Sequence, residues 1–276
     1  MPTQAEKAAA FRALHAGPQA FIIPNPWDIG TARLLAGMGF QALATTSAGY
    51  AFSRGLVDGA VGRQEMLDHV AEIVGATDLP VSADLENGYG DSPDAVAECV
   101  TLAAGTGLVG CSIEDSTGRP EAPLYPLDAA VGRIRAAVAA ARALPFPFTL
   151  TARAENFLVG RPDLDDAIAR LQAYQAAGAD VLYAPGLRDA AQIEAVVKAV
   201  GRPVNVVMGL QGVTLGLAEL SALGVRRVSV GSALARAAFG GFLSAAREMS
   251  DNGSFRFADR AVPFAEISGL LKPRPA

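Results

Sequence analysis

Short β-prone runs alternate with amphipathic Ala- and Leu-rich segments eight times along this chain, and this alternation constrains the fold more than any other feature. The predicted strands, which share β-branched and apolar residues, are Ala20–Pro24, Ala42–Thr46, Val81–Asp84, Leu108–Ile113, Phe148–Ala152, Val181–Tyr183, Val204–Val207 and Arg227–Val230. The predicted helices, which share helical apolar spacing, are Ile29–Met38, Gln64–Val74, Pro93–Ala104, Leu127–Ala143, Asp165–Ala177, Ala190–Val200, Leu215–Leu223 and Ala233–Glu248. Eight such units predict an α/β fold, a (β/α)₈ TIM barrel built as one domain.

A doubly wound open sheet is the alternative arrangement of such units. It would carry a glycine-rich fingerprint after the first strand, and residues 22–30, IIPNPWDIG, do not supply one. Two pieces lie outside the eight units: a helix near Glu6–His15 and an amphipathic segment, Phe255–Leu270. We expect the barrel over about residues 20–250, within a single domain 1–276, and a tail over 251–276. The tail has no place in one barrel, which favours packing on a second subunit.

Composition excludes several classes of partner. The net charge is −5 and no basic cluster could follow a nucleic-acid backbone, so we expect no nucleic-acid partner. Arginines interrupt the longest apolar run, Val131–Leu144, so no membrane-spanning helix is predicted. The N-terminus lacks a basic stretch followed by an apolar core, so no secretory signal is expected. Two cysteines, Cys99 and Cys111, cannot form a disulfide framework, and a cytoplasmic location is expected.

Acidic residues follow the predicted strands at the end where barrels of this type place their active sites. Asp58 lies in the loop after the second strand, Asp84 and Glu86 end the third, and Glu114 ends the fourth. Strand alternation places Asp84 and Glu86 on one face. Converging carboxylates repel one another unless protons or a cation neutralise them, and Mg²⁺ with oxygen ligands is the simplest solution. The sequence therefore predicts a magnesium site at the barrel mouth.

The positions of the arginine, lysine, histidine and cysteine residues limit the types of reaction that the site could catalyse. Arg153 ends the fifth strand, where paired hydrogen bonds could hold a substrate carboxylate. No lysine ends a strand, which excludes a Schiff-base aldolase. His15 and His69 are expected on helix surfaces, so a histidine-ligated zinc site is not expected. Cys111 should face the helices and Cys99 lies mid-helix, so neither is an expected nucleophile. Metal-centred chemistry on a carboxylate-bearing substrate remains.

Four motifs carry a resemblance to a known family. They are TTSAG with GLVDG (residues 45–49 and 55–59), VSADLENGYG (81–90), GCSIEDS (110–116) and LTARAEN (150–156). In this order they resemble the isocitrate lyase/phosphoenolpyruvate mutase superfamily, phosphonomutase-like branch, over about residues 20–250. The resemblance implies a Mg²⁺-dependent barrel that assembles as a homo-oligomer, usually a tetramer whose last helix is exchanged between paired subunits. That exchange would give the tail its place.

The resemblance also implies a metal-ligand set. Asp84 matches the direct Mg²⁺ ligand, and Asp58, Glu86 and Glu114 match residues that hold the ion through water. Glu86 stands where many members have aspartate, and Mn²⁺ is a substitute for Mg²⁺. Arg153, Glu114 and Asp58 are the expected catalytic residues.

Substrate-binding positions follow from the same motifs. Thr46, Ser47 and Ala48 match a turn whose N–H groups and hydroxyl bind the substrate carboxylate, and Arg153 matches the substrate-binding arginine. Asn205, in the seventh predicted strand, completes the expected substrate-binding set. Family substrates are small 2-oxo or 2-hydroxy carboxylates that react through a metal-stabilised enolate.

The chain departs from the family where protons are transferred. The lyases carry a Lys-x-Cys-Gly-His loop after the fourth strand and the mutases a lysine, threonine and asparagine signature there; residues 114–128, EDSTGRPEAPLYPLD, carry neither. Pro185 stands on the sixth strand where lyases have glutamate and mutases histidine. The sequence therefore predicts neither a typical isocitrate lyase nor a typical phosphoenolpyruvate mutase. Arg119, Tyr125 or a bound water would have to serve in proton transfer.

Three functional hypotheses follow. The leading one is a Mg²⁺-dependent lyase that cleaves a carbon–carbon bond of, or decarboxylates, a small 2-oxo or 2-hydroxy (di)carboxylate. The second is a ketopantoate-type hydroxymethyltransferase, which would need a folate pocket that the sequence does not reveal. The third is a non-catalytic protein that binds the metal and a 2-oxo acid.

Overall fold

A single parallel sheet of eight strands curls into a barrel in the computed structural model, which describes residues 2–272. Its strands are β1 (Phe21–Ile23), β2 (Leu43–Ala44), β3 (Val81–Asp84), β4 (Gly110–Glu114), β5 (Thr149–Arg153), β6 (Val181–Tyr183), β7 (Val204–Val207) and β8 (Arg227–Ser229). Consecutive strands from β2 to β8 are paired, and β8 pairs with β1. Between β1 and β2, the Ala44 N–H donates to the Pro24 carbonyl at 3.1 Å. The barrel is therefore nearly closed, and the predicted (β/α)₈ fold is confirmed.

Helices follow the strands as the alternation predicts. They are α1 (Gln4–Ala16), α2 (Ile29–Gly37), α3 (Ser47–Ser53), α4 (Arg63–Gly75), α5 (Pro93–Gly105), α6 (Leu127–Arg142), α7 (Leu164–Ala176), α8 (Ala190–Ala199), α9 (Leu217–Ala222), α10 (Ala233–Asn252) and α11 (Phe264–Leu270), with a 3₁₀ helix at Arg256–Arg260. Several begin where a short polar side chain accepts a hydrogen bond from a first-turn N–H. These capping residues are Thr3, Asp28, Ser92, Asp163 and Asp189.

Two details at the barrel mouth differ from the expectation. The segment after β2 begins the short helix α3, and the Thr46 side chain caps it by accepting a hydrogen bond from the Gly49 N–H at 3.2 Å. Strand β3 ends at Asp84, and Glu86 adopts a left-handed conformation with φ of 49°. Strand alternation therefore does not extend to Glu86, which follows the strand in a turn, and Glu86 still lies near Asp84.

The prediction that both histidines lie on helix surfaces was also wrong. His15 closes the bottom of the barrel, where its ring packs edge-on against Phe11 and Phe21 with centroids 4.7 and 5.1 Å away. His69 stacks on Tyr50 with centroids 3.7 Å apart. Burial lowers the pKa of His15 to about 3 and that of His69 to about 4, so both rings are neutral at pH 7 and can lie in a packed interior.

The two cysteines lie in the apolar layer, as predicted. Cys99 and Cys111 are free, buried and part of one apolar cluster. Burial raises the pKa of Cys99 to about 11 and that of Cys111 well above the ordinary value. Both thiols therefore stay protonated, which disfavours a nucleophilic role. No helix within residues 2–272 is long and apolar enough to cross a membrane.

The tail leaves an apolar surface exposed. Helix α11 lies against α2, yet the Phe264 side chain is 88% exposed, and Phe255 and Val262 are also exposed. Phe242 and Leu243 extend this surface along α10. Exposed apolar side chains of this size and number mark a surface that another molecule can cover.

Gly110, the first residue of β4, allows a close approach that any side chain would prevent. A Cβ atom there would lie 2.7 Å from the Thr149 carbonyl oxygen and 3.0 Å from the Phe11 ring. We expect Gly110→Ala to lower the free energy of unfolding by about 1–3 kcal/mol, since overpacking forces backbone shifts. Urea denaturation would measure the change.

Gly105→Ala is the matched control, because Gly105 ends α5 and its Cβ would meet nothing within 4 Å. It should leave stability unchanged or raise it by up to about 1 kcal/mol. Equal losses in the two variants would contradict the packing argument.

Candidate active site

A cavity of about 240 Å³ opens at the carboxyl ends of the strands. The predicted site residues that line it are Thr46, Ser47, Ala48, Asp58, Asp84, Arg153 and Asn205. Glu86 and Glu114 do not line it, and they lie beside the lining carboxylates. The structure thus brings the predicted set to one end of the barrel.

Arg153 is the centre of this site. Its guanidinium lies 2.8 Å from an Asp84 carboxylate oxygen, 3.1 Å from Glu114 and 2.8 Å from Glu155. Burial alone would lower the pKa of Arg153, but the three carboxylates raise it well above its ordinary value. Arg153 is therefore the internal counter-ion of three strand ends, β3, β4 and β5. Its predicted contact with a substrate carboxylate stays a prediction.

Asp84 uses its second carboxylate oxygen on the α3 side. That oxygen accepts hydrogen bonds from the Ser47 hydroxyl at 3.1 Å and the Ser47 N–H at 3.4 Å. The Asp84 N–H donates to the Thr45 hydroxyl oxygen at 3.0 Å. Ser47 thus holds the carboxylate at the end of β3, while Thr46 caps α3 and Ala48 lines the cavity.

The pKa values of the other carboxyl groups are raised by burial and by the neighbouring like charges. Burial, with Asp84 and Asp58 nearby, raises the pKa of Glu86 to about 7. Loss of surrounding water and the Asp84 charge raise the pKa of Asp58. Burial first, and then the neighbouring carboxylates, raise the pKa of Glu114 well above its ordinary value, against the pull of Arg153. The site therefore holds more carboxyl groups than one arginine can keep ionised.

This donor set fits a hard divalent cation. Its groups are carboxylate and hydroxyl oxygens, which Mg²⁺ and Mn²⁺ prefer over softer ligands. Within residues 2–272, no three His, Cys, Asp or Glu side chains converge as a ready-made ligand cluster. Mg²⁺ commonly binds through one or two carboxylates and keeps several waters. Direct binding by Asp84, with the other acids acting through water, is compatible with both observations.

A buried network behind the site was missed by the sequence reasoning. The Glu155 N–H donates to Asp115 at 2.8 Å, and the other Asp115 oxygen accepts from Arg170 at 3.1 Å and from the Tyr174 hydroxyl at 2.5 Å. Arg170 and Tyr174 belong to α7, so this network fixes the loops after β4 and β5 relative to each other. Asp115, the second acid of the motif GCSIEDS, was the only sequence signal for this network. Its partners Arg170 and Tyr174 lie 55 and 59 residues further along the chain.

The two residues proposed for proton transfer do not reach the cavity. The Tyr125 hydroxyl donates to Asp91, and Arg119 forms an ion pair with the same carboxylate at 3.0 Å. They fasten the loop after β4 to the loop after β3. Tyr183 was not anticipated: it lines the cavity, and its ring centroid lies 5.2 Å from the Arg153 guanidinium carbon.

Comparisons with known sequences agree with the motifs. A family model described as phosphoenolpyruvate phosphomutase matches residues 11–250. An uncharacterised protein of Mycobacterium tuberculosis is 33% identical over 263 residues, covering 95% of this chain and 96% of the relative. An oxaloacetate decarboxylase of Chromohalobacter salexigens is 31% identical over 257 residues, covering 91% of this chain and 88% of the relative.

Solved structures give the same result. A candidate lyase/mutase from Burkholderia cenocepacia J2315 has a TM-score of 0.94 and 67% identity, covering 96% of this chain and 95% of its own. Oxaloacetate acetylhydrolase in complex with the product oxalate has a TM-score of 0.86 and 26% identity, with coverage of 98% and 95%. Phosphonopyruvate hydrolase in complex with oxalate and Mg²⁺ has a TM-score of 0.84 and 26% identity, with coverage of 96% and 94%.

The raised pKa of Glu86 predicts a pH-dependent stability of the metal-free protein. The folded-state pKa is about 7 against an ordinary value of 4.5, so the folded protein holds a proton that the unfolded chain releases. This contribution is present below the unfolded pKa and is lost as pH rises through the folded value. We expect wild type in EDTA to lose up to about 3 kcal/mol of stability from this group between pH 4.5 and 7.5.

Glu86→Gln should abolish that part of the loss and be more stable than wild type at pH 7.5. Thermal unfolding in EDTA across this pH range would measure it. Glu121→Gln is the control, because Glu121 is exposed on a loop. Identical pH profiles for wild type and Glu86→Gln would contradict the assignment.

Proposed function

The chain belongs to the phosphoenolpyruvate phosphomutase family, and from this premise we propose that it is a Mg²⁺-dependent lyase acting on a small 2-oxo acid. The observation that carries the proposal is the carboxylate cluster around Arg153 at the barrel mouth, which is short of positive charge. Oxaloacetate is the first candidate substrate, because relatives and structural neighbours are named as an oxaloacetate decarboxylase and an oxaloacetate acetylhydrolase.

Asp84 would hold Mg²⁺ directly, and Asp58, Glu86 and Glu114 would hold it through water. Mn²⁺ has the same preference for oxygen ligands and could replace it. When bound, the ion supplies a Lewis acid that polarises the 2-oxo group of the substrate. The raised pKa values of Glu86 and Glu114 support this assignment, because a cation would relieve the repulsion behind them.

The chain's own residues would bind the substrate and stabilise its charge. In decarboxylation the carbon–carbon bond to the departing carboxylate breaks and CO₂ leaves. The electron pair of that bond stays on the substrate as an enolate, which must then take up a proton. Arg153 would bind a carboxylate and stabilise the developing negative charge, with Thr46, Ser47 and Ala48 at the cavity wall. Glu114 is buried beside Arg153; its raised pKa favours the protonated form without the cation, and bound Mg²⁺ would favour the carboxylate.

Free, buried cysteines bear on the cellular location. Cys99 and Cys111 form no disulfide in the structure. Proteins of oxidising compartments commonly use disulfides, whereas cytoplasmic proteins keep their thiols reduced. This supports a cytoplasmic location.

Turnover of oxaloacetate is the direct test of the function. We expect wild type with Mg²⁺ to form pyruvate, measured by NADH loss in a lactate dehydrogenase-coupled assay, or oxalate and acetate if a hydrolytic cleavage operates. A panel of other 2-oxo and 2-hydroxy acids should be run in parallel. Because free Mg²⁺ accelerates oxaloacetate decay, a blank without protein is required at each concentration.

Asp84→Asn is the matched variant, since it keeps size and removes the charge. We expect turnover to fall by at least about 100-fold, because a Lewis acid contributes several kcal/mol to transition-state stabilisation. Mg²⁺ affinity by calorimetry should fall with it while the barrel stays folded. Ligand-induced thermal stabilisation without turnover would select the non-catalytic binding protein instead, and a folate requirement would select the hydroxymethyltransferase.

Self-association would cover the exposed surface of α10 and the tail. We propose a homo-oligomer, a dimer or tetramer, in which the segment Phe255–Leu270 exchanges between subunits. Its exposed apolar side chains support this, together with those of α10. Residues 273–276 of the predicted tail lie outside the described residues.

Ending the chain after Gly253 tests this assembly. We expect the shortened protein to form a smaller species or to aggregate, because one face of the interface is lost. Light scattering would measure the mass, with Phe264→Ser as a milder variant of the same surface. A shortened chain that keeps the full-length oligomer would contradict the exchange.

A further inference from the structure

Arg227 is a buried cation whose side-chain contacts are all neutral. It begins β8, lies beneath the carboxylate cluster and is 5% exposed. Its guanidinium donates to the Asn205 amide oxygen and to the Thr151 hydroxyl oxygen, each at 2.9 Å, and its third contact is the His15 ring at 3.5 Å. A guanidinium has five N–H donors, so two remain available.

Two arginines in and behind the site have carboxylate partners, and a third buried arginine, Arg133, donates to three backbone carbonyls. Arg153 contacts three and Arg170 contacts two, whereas Arg227 has none within 4 Å in the described part of the chain. Burial lowers the pKa of Arg227 to about 10, which leaves it protonated at neutral pH. A buried charge without a counter-ion is costly. Arg227 therefore lies where an anion would be stabilised.

His15 does not supply that anion. Its Nδ1 lies 2.8 Å from the Phe11 carbonyl, so Nδ1 carries the proton and Nε2 faces Arg227 as an acceptor. With its pKa lowered to about 3, the ring is neutral. A ligand would reach Arg227 from the mouth, because Arg227 is not among the residues that line the cavity at the opposite end of the barrel. Arg227 lines the same cavity as Asp84.

The surroundings of Arg227 offer hydrogen-bond donors. Ser82 and Ser112 line the same cavity, and their hydroxyls have no hydrogen-bond partner within residues 2–272. The Asn205 amide donates to the Ser229 hydroxyl at 3.0 Å. The acids that line the cavity, Asp58 and Asp84, lie at its mouth. Its floor thus combines one uncompensated cation with free hydroxyl groups.

We infer that the cavity floor around Arg227 is a second carboxylate subsite, separate from the cation site at the mouth. It would bind a carboxylate between the Arg227 guanidinium and the hydroxyls of Ser82 and Ser112. Two sources offer this chemistry. One is the distal carboxylate of a 2-oxo dicarboxylate, which rests on the proposed function and would set a preference for dianionic substrates. The other is a free small carboxylate.

Binding measurements on Arg227→Gln distinguish these sources. With Mg²⁺ present, two pairs of 2-oxo acids of equal chain length are compared: 2-oxobutanoate with oxaloacetate, and 2-oxopentanoate with 2-oxoglutarate. Affinities are read by stopped-flow fluorescence before turnover. Wild type should prefer one dicarboxylate over its partner by at least about tenfold, and Arg227→Gln should lose that preference while keeping its monocarboxylate affinity within about twofold.

Acetate in EDTA tests the subsite without metal or turnover. Ligand-observed NMR should detect acetate on wild type and not on Arg227→Gln if a free carboxylate is the occupant. In that case the subsite stands even if no 2-oxo acid binds, and the proposed function falls alone. A lost dicarboxylate preference without acetate binding identifies the distal carboxylate.

Two further variants keep the result interpretable. Arg227→Lys retains the charge without the planar fork and should keep part of the preference; it serves as the test variant if Arg227→Gln fails to fold. Arg202→Gln removes an exposed arginine at the opposite end of the barrel and should behave as wild type. If the Arg227 variant binds acetate and all four 2-oxo acids as wild type does, the inference is overturned.

Discussion

The ion cluster of Arg153 with Asp84, Glu114 and Glu155 is the interaction on which the site depends. Each carboxylate comes from, or directly follows, a different one of three neighbouring strands, so one guanidinium fixes three strand ends at once. Removing Arg153 would leave three crowded, partly buried carboxylates without a counter-ion, which is more damaging than the loss of one favourable pair. The arginine thus serves the barrel as well as any ligand, and the two roles share the same atoms.

The position of that cluster is fixed from behind. Asp115 accepts a hydrogen bond from the Glu155 N–H and is itself bound by Arg170 and Tyr174 of α7. These two α7 side chains therefore fix the position of Glu155 relative to Arg153. Asp115, Arg170 and Tyr174 are buried and hydrogen-bonded to one another, which suits a rigid support. Rigidity matters because a crowded set of like charges would otherwise spread apart, and a spread set would no longer bind a small cation.

The sequence predicted the large features well because they depend on local patterns. Strand and helix periodicity located all eight units, and the carboxyl-end rule placed Asp84 and Arg153 at one mouth. Errors arose where long-range packing decided the outcome. A seven-residue helix, α3, is too short for periodicity to reveal, and the left-handed turn at Glu86 lies beyond the end of β3, where strand alternation does not apply. The burial of His15 depends on which end of the barrel α1 closes, and no local pattern encodes that.

The buried arginines differ in how far their positive charge is balanced by neighbouring groups. Arg133 donates to three backbone carbonyls of the loop after β3, Arg170 pairs with acids, and Arg153 pairs with three. Arg227 contacts only neutral groups. The burial of Arg133, Arg170 and Arg153 is explained by the loops and strand ends that they hold in place. Arg227 fixes less, since an asparagine, a threonine and a neutral histidine could be satisfied by water or by one another. Its charge is therefore better explained by what enters the cavity than by what surrounds it.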